Sequence, residues 1–100
     1  MSVYLMVDVT VNRPEMYEQY IQRVPEIIRR FGGRYLVRGG KITPVSGGWN
    51  PERAILVEFP SMEQCRACFQ SPEYLELSPF REQSTTTRAI LMEGCDSHDA

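Results

Sequence analysis

Histidine is almost absent from this sequence, since the single one, His98, stands two residues before the end of the 100-residue chain. A serine or cysteine triad needs an imidazole beside the nucleophile, and haem is often held by histidine, so neither is expected in the folded part. A phosphate-binding glycine loop is also lacking. The glycine-rich stretch GGRYLVRGG, residues 32–40, follows a predicted helix and is itself a predicted strand, which is the wrong context for such a loop.

The sequence also lacks a block of basic residues and a long apolar run. Its net charge is −2, so we expect no nucleic-acid partner. The opening segment, residues 1–11, is too short to span a bilayer, is interrupted by Asp8 and has no basic start, so neither a membrane span nor a signal peptide is predicted. With 42% apolar and 24% charged residues, the composition is typical of a globular domain. We therefore expect one soluble, cytoplasmic domain.

Cysteine is scarce and its count is odd, which argues against a disulfide framework. The ligand types of a zinc site are present in Cys65-x-x-Cys68 and Cys95-x-x-His98. The alternative is better supported, because Cys65 and Cys68 fall on the apolar stripe of a predicted helix, where free cysteine packs as a small hydrophobe. No metal and no cofactor are expected.

The first half of the chain begins with a clear alternation of apolar and polar residues over 3–11, which predicts a strand. A helix should follow, with Asn12 as its N-cap, a kink near Ile21 caused by Pro25, and an end at Gly32 in a left-handed conformation.

Two strands are predicted next, over residues 34–38 and 53–59. We expect Gly39 and Gly40 to form a bulge or bend, beyond which residues 41–45 could extend the first of these strands.

The last third begins with a capping box at Ser61, which opens a second helix through about Phe69. A short helix should restart at Ser71 and be broken at Pro79. Residues 84–93 then form the fourth strand.

The resulting order, β-α-β-β-α-β, is the ferredoxin-like α+β pattern. It predicts a four-stranded antiparallel sheet in the order 4-1-3-2 with two helices on one face. Residues 1–94 should form a single domain, followed by a flexible tail over 95–100.

The face opposite the helices is expected to be unusually apolar. It carries Tyr4, Met6, Leu36 and Leu56, with further apolar residues from strand four. A face of this kind in water would favour aggregation, so we expect a second copy of the sheet to cover it and form a homodimeric barrel. The alternative is a set of scattered surface hydrophobes.

Several motifs together resemble the domain-of-unknown-function 1330 family over residues 3–94: GGRYLVRGG, GGWNPER, EFPS, SPEY and TTTRAILMEG. The resemblance implies a dimeric α+β barrel, in a superfamily that includes cofactor-free monooxygenases, isomerases, dye- and haem-handling barrels and stress-response barrels. Ser46 stands where members often have glutamate, so an acid-base role is not carried over there. Pro79 also departs from the continuous helix of many members.

Four charged residues are expected on the face opposite the helices. Asp8 and Glu58 are the candidate catalytic groups, and Arg38 and Arg34 the candidate ligand-binding groups. Arg38 should point inward and pair with Glu58 or a ligand, whereas Arg34 should reach solvent. The alternative is a structural ion pair that fixes strand register or dimer pairing.

Two aromatic residues complete the candidate site. Trp49, in a glycine-rich loop, could close the barrel mouth or pack on the partner subunit. Tyr74, in SPEY, could bind a ligand or anchor its helix.

The favoured function is the binding of a small polar or anionic metabolite in the barrel cavity, with cofactor-independent acid-base, isomerase or monooxygenase chemistry as candidate activities. The alternative is a non-catalytic structural or stress-associated homodimer whose cavity is closed by ion pairs. An open cavity of a few hundred Å³ with convergent polar groups would favour the first.

Overall fold

The computed structural model describes residues 1–95, which form four strands and three helices. They are β1 (Val3–Val11), α1 (Pro14–Arg30), β2 (Arg34–Arg38), β3 (Arg53–Phe59), α2 (Met62–Gln70), α3 (Pro72–Ser84) and β4 (Thr85–Glu93). Of the expected tail over 95–100, only Cys95 is among the described residues, so His98 lies outside them.

The strands form one antiparallel sheet in the order β2-β3-β1-β4, which confirms the predicted ferredoxin-like topology. On β1, Val7 stands opposite Ile55 of β3 and Ala89 of β4, so these three residues share one face. No helix within residues 1–95 is both long and apolar enough to cross a membrane.

The helices pack on one face of the sheet and bury its apolar side chains. Val57 and Phe59 of β3 are almost completely buried there, with Leu77 of α3 and the two helical cysteines Cys65 and Cys68. The predicted core position of these cysteines is therefore confirmed. We call the opposite side of the sheet, which carries Tyr4, Met6, Asp8, Leu56, Glu58 and Ile90, the open face.

The start of α1 differs from the prediction. Its N-cap is Arg13, whose side chain makes no capping hydrogen bond. The side-chain amide of Asn12 instead donates from Nδ2 to Thr86 Oγ1 at 3.0 Å. Asn12 therefore ties the end of β1 to β4 instead of capping the helix. At the other end, Gly32 has a φ of +83°, as expected for a left-handed helix terminus.

Neither internal proline breaks its helix, so the predicted break at Pro79 is wrong. Proline lacks the N–H that would bond the carbonyl four residues earlier. In α3 the Ser78 hydroxyl donates to that carbonyl, Leu75 O, at 3.2 Å. The equivalent carbonyl in α1, Ile21 O, is left unbonded by Pro25 and accepts a hydrogen bond from Arg38 of β2.

Gly39 forms the expected bend, with a φ of +72°, and β2 also contains a bulge that was not predicted. Tyr35 is opposite Val57 and Val37 is opposite Leu56, so Leu36 is an extra residue in the ladder. The strand ends at Arg38, and residues 41–45 form no strand, so the predicted extension is wrong. Because the extra residue shifts the alternation, residues 34 and 38 lie on opposite faces of the sheet.

Candidate functional site

A cavity of about 280 Å³ lies between the helices and the sheet, and we call it the helix–sheet cavity. Its walls come from α1, α3, the sheet and Phe69 of α2. The lining residues are Leu5, Val7, Val9, Tyr17, Tyr20, Ile21, Val24, Ile28, Tyr35, Arg38, Arg53, Ile55, Val57, Phe69, Tyr74, Arg81, Thr87 and Ala89. Most of this surface is apolar, and the polar groups come from a few tyrosines and arginines.

One polar cluster in the cavity joins α1, α3 and β4. The hydroxyl oxygens of Tyr20 and Tyr74 are 2.9 Å apart, and Arg81 Nε donates to Tyr74 Oη at 3.2 Å. Arg81 also donates from Nη1 to Thr87 Oγ1 at 2.9 Å. These two hydrogen bonds hold the Arg81 guanidinium over β4, at the edge of the sheet.

Tyr74 is placed by the cap of its own helix. The Ser71 hydroxyl accepts a hydrogen bond from the Tyr74 amide at 3.2 Å and donates to Cys68 O at 2.7 Å. The SPEY motif therefore fixes the first turn of α3 and directs a tyrosine into the cavity.

A second polar cluster lies towards β3 and β2. Arg53 Nε donates to Tyr17 Oη at 3.2 Å, and the guanidinium sits 5.7 Å from the centre of the same ring. Arg38 lies 5.1 Å from the centre of the Tyr35 ring. The two clusters meet on α1, where the rings of Tyr17 and Tyr20 stack with centroids 6.0 Å apart.

The electrostatic character of the cavity is cationic. Three arginines line it, and none of its lining residues is Asp, Glu, His or Cys. The nearest counter-charge to Arg81 is Glu82, at 3.7 Å, which does not line the cavity. Such a set of donors favours an anionic group, for which a guanidinium supplies a planar fork of N–H groups.

The hydroxyls of Tyr20 and Tyr35 remain protonated near neutral pH. Burial, followed by the influence of Tyr74, raises the pKa of Tyr20 above its ordinary value, and burial raises the pKa of Tyr35 to about 12. These side chains are therefore hydrogen-bond donors in the cavity and not bases.

The cavity meets a surface depression beside α1. Ile21, Arg38 and Arg53 line both spaces, so they stand where the cavity approaches solvent. Here Arg38 Nη2 donates to Ile21 O, the carbonyl left without a partner by Pro25. Arg38 therefore connects β2 to α1 at this boundary.

The predicted partner of Glu58 is corrected by the structure. Arg34, and not Arg38, pairs with Glu58 at 3.0 Å, because the bulge at Leu36 moves Arg38 to the helix side. Glu58 also accepts a hydrogen bond from Tyr4 Oη at 2.7 Å.

Asp8 lies elsewhere on the open face. It pairs with Arg88 at 2.8 Å and accepts a hydrogen bond from Trp49 Nε1 at 3.2 Å. These hydrogen bonds, Arg88 first, lower the pKa of Asp8 below its ordinary value. Glu58 is opposite Tyr4, four positions away along β1, or about 13 Å, so the two candidate carboxylates do not converge.

The candidate residues are thus divided between the two faces. Arg38 and Tyr74 line the helix–sheet cavity, whereas Asp8, Glu58, Arg34 and Trp49 belong to the open face. Six further residues line the cavity that were not among the predicted site residues: Tyr17, Tyr20, Tyr35, Arg53, Arg81 and Thr87. One available signal was the position of Arg53 at the start of a core-facing alternation, where a charge is not expected unless it has a partner.

Possible metal ligands do not cluster in the described part of the chain. Residues 1–95 contain no group of three or more His, Cys, Asp or Glu side chains able to hold a metal ion. The alternative zinc site would include His98, which lies outside the described residues.

One protein-family model and several solved structures match this chain. A protein-family model described as Domain of unknown function (DUF1330) matches residues 2–95, and no curated protein matches the chain. A protein of unknown function from Rhodopseudomonas palustris has a TM-score of 0.78 and 16% identity, covering 95% of this chain and 83% of that one.

Two further solved structures are similar in fold. The cofactor-independent oxygenase SnoaB from Streptomyces nogalater has a TM-score of 0.67 and 14% identity, covering 96% of this chain and 95% of that one. A dimeric ferredoxin-like protein of unknown function from Thermobifida fusca has a TM-score of 0.58 and 13% identity, covering 92% of this chain and 90% of that one. Identities this low show a shared fold only.

Proposed function

The chain belongs to the DUF1330 family, and we propose that it binds a small anion with a planar, apolar body in the helix–sheet cavity. The observation that carries this proposal is the lining itself. Arg38, Arg53 and Arg81 face an apolar space whose other polar groups are donors, with no carboxylate among the lining residues. An anion would satisfy these charges, and the apolar walls would hold its body.

The volume limits the size of the ligand. About 280 Å³ is close to the lower end of the range for small-molecule pockets, about 300 Å³. A molecule of one or two aromatic rings fits this space. Tyr17, Tyr20 and Phe69 supply ring surfaces against which such a molecule can pack.

The chemistry best matched to this lining is the stabilisation of an ionised phenol, enol or carboxylate. Arg81 and the hydroxyl pair of Tyr20 and Tyr74 place donors where a negative oxygen would be bound. An ionised enol or phenol is the electron-rich form of its molecule. The similarity in fold to a cofactor-independent oxygenase makes oxygenation of such an anion the activity to test once binding is found.

A second copy of the chain is proposed to cover the open face. Ile90 is 56% exposed there, close to Met6 on the neighbouring strand. Both acids of this face are already paired within the chain, Glu58 with Arg34 and Asp8 with Arg88. Burial against a partner would therefore leave no uncompensated charge. For these four residues and Trp49, the contacts support an interface role over a catalytic one.

The binding proposal can be tested with matched probes. Isothermal titration calorimetry would compare naphthoate with the neutral naphthamide, which has the same ring system without the charge. We expect the acid to bind more tightly, by about tenfold, because a hydrogen bond to a charged group contributes about 1.5–3 kcal/mol.

Variants locate the site. Arg81→Gln should weaken naphthoate binding, whereas Arg23→Gln, a change at an exposed position of α1 outside the cavity, should not. Equal binding of acid and amide, or equal effects of both substitutions, would contradict the proposal.

A further inference from the structure

From the arrangement of the arginines we infer that the ligand is acidic at both ends: a planar diacid or hydroxy acid that spans the helix–sheet cavity. This inference rests on the proposed function, because it specifies the ligand of the same cavity. It depends on two separate donor clusters, their distance and the apolar surface between them.

The first donor cluster lies above β4. Arg81 is bonded through Nε to Tyr74 and through Nη1 to Thr87, so its guanidinium has a fixed position. The Tyr20 and Tyr74 hydroxyls share one hydrogen bond, which leaves the second hydroxyl hydrogen of the pair available to a ligand. One end of the ligand would accept hydrogen bonds here.

The second donor cluster lies above β3. Arg53 bonds only through Nε within residues 1–95, to the Tyr17 hydroxyl, so its two terminal nitrogens retain their donors. The Tyr17 hydroxyl accepts this bond and keeps its own hydrogen to donate. Arg38 stands on the adjacent strand and lines the same space. The other end of the ligand would be bound here.

The sheet register sets the backbone separation of the strands over which the two clusters lie. Arg53 on β3 is opposite Val9 on β1, and Val9 is opposite Thr87 on β4. Two strand spacings therefore separate Arg53 from Thr87, or about 10 Å between their backbones. A single aromatic ring with an acid at each end has a length comparable to this backbone separation.

The surface between the clusters is apolar. Val9 is 2% exposed and lies between Arg53 and Thr87 on the same face, with Val7 and Ile55 in the next row. Above them, the Tyr17 and Tyr20 rings stack across the gap. A ligand that spans the cavity would thus have polar ends and a flat apolar middle.

The test compares acids that differ only in the position of the charge. Calorimetric titrations would use benzoate, terephthalate with carboxylates at opposite ends, and phthalate with both carboxylates on neighbouring carbons. A longer pair, naphthoate and the naphthalene dicarboxylate with acids at opposite ends, would test length. We expect an opposite-ended diacid of at least one length to bind about tenfold more tightly than its monoacid, and phthalate to show no such gain.

Variants then assign the gain to the two clusters. Arg53→Gln and Arg81→Gln should each abolish the advantage of the diacid, while Arg23→Gln retains it, with thermal unfolding used to confirm that each variant is folded. If the monoacids bind but no opposite-ended diacid gains affinity at either length, this inference is overturned and the proposed function stands. If no acid binds, the proposed function fails with it. A gain that survives both cavity substitutions would also overturn the inference.

Discussion

Arg38 donates a hydrogen bond to the carbonyl oxygen of Ile21, the carbonyl that Pro25 leaves without a helical partner. A side chain from β2 thus completes the hydrogen bonding of α1 at the edge of the helix–sheet cavity. This relationship explains how a proline is accommodated in the middle of a long helix, and it makes the effect of Arg38 depend on residue 25.

The first prediction concerns this dependence. Arg38→Met should lower the free energy of unfolding by about 1 kcal/mol, because it leaves a helical carbonyl without a donor. In a Pro25→Ala background the same substitution should lower the free energy of unfolding by less, because the restored N–H of residue 25 can bond Ile21 O. Urea denaturation of the four proteins at one concentration measures the difference. Equal costs in both backgrounds would show that the bond to Ile21 does not determine the effect.

The second prediction concerns the open face. Met6→Asp should convert the proposed dimer to a monomer, because it would place an unpaired charge in the interface between the two sheets. Size-exclusion chromatography with light scattering should give twice the chain mass of 11.5 kDa for the wild type and the chain mass for the variant. Leu75→Asp is the matched control, since Leu75 is an exposed apolar residue on α3. A wild-type protein that elutes as a monomer would contradict the proposed covering of this face.

The third prediction concerns Asp8 and pH. Because its pKa is lowered in the folded protein, the contribution of Asp8 to stability is present above the ordinary carboxyl pKa and is lost as the pH falls through the lowered value. Protonation removes the negative charge that Trp49 and Arg88 contact. Trp49 is the single tryptophan, so its fluorescence should change below about pH 4.

A substitution identifies the titrating group. The fluorescence change should be absent in Asp8→Asn and retained in Glu58→Gln, since Glu58 contacts Tyr4 and Arg34 instead. An unchanged transition in Asp8→Asn would assign it to another carboxyl.

Much of the fold could be predicted because its signals are local. The alternation of residues 3–11 and 53–59 defined two strands, and the Ser61 cap, whose hydroxyl accepts from the Gln64 amide at 3.1 Å, marked the start of α2. The break predicted at Pro79 was wrong for a reason that is also local. A serine immediately before the proline satisfies the carbonyl that the proline leaves unbonded.

The site was harder to predict because it depends on one extra residue. Alternation through β2 would place Arg34 and Arg38 on one face, and Leu36 interrupts it without a glycine or proline to mark the position. The partner of Arg53 is a tyrosine 36 residues away in sequence, so the two meet only when α1 packs on the sheet. Arg81 and Tyr74 lie seven residues apart on the same helix, and this spacing was a signal that the sequence did contain.

The extra residue at position 36 gives β2 an unusual property. In a five-residue strand without a bulge, Arg34 and Arg38 would lie on the same face of the sheet. With Leu36 inserted, Arg34 pairs with Glu58 on the open face, while Arg38 lines the helix–sheet cavity. A relative that paired the same five residues without a bulge would place both arginines on one face, and one of these two positions would be lost. The pairing register of this short strand is therefore as informative about a relative's ligand as the identity of the side chains it carries.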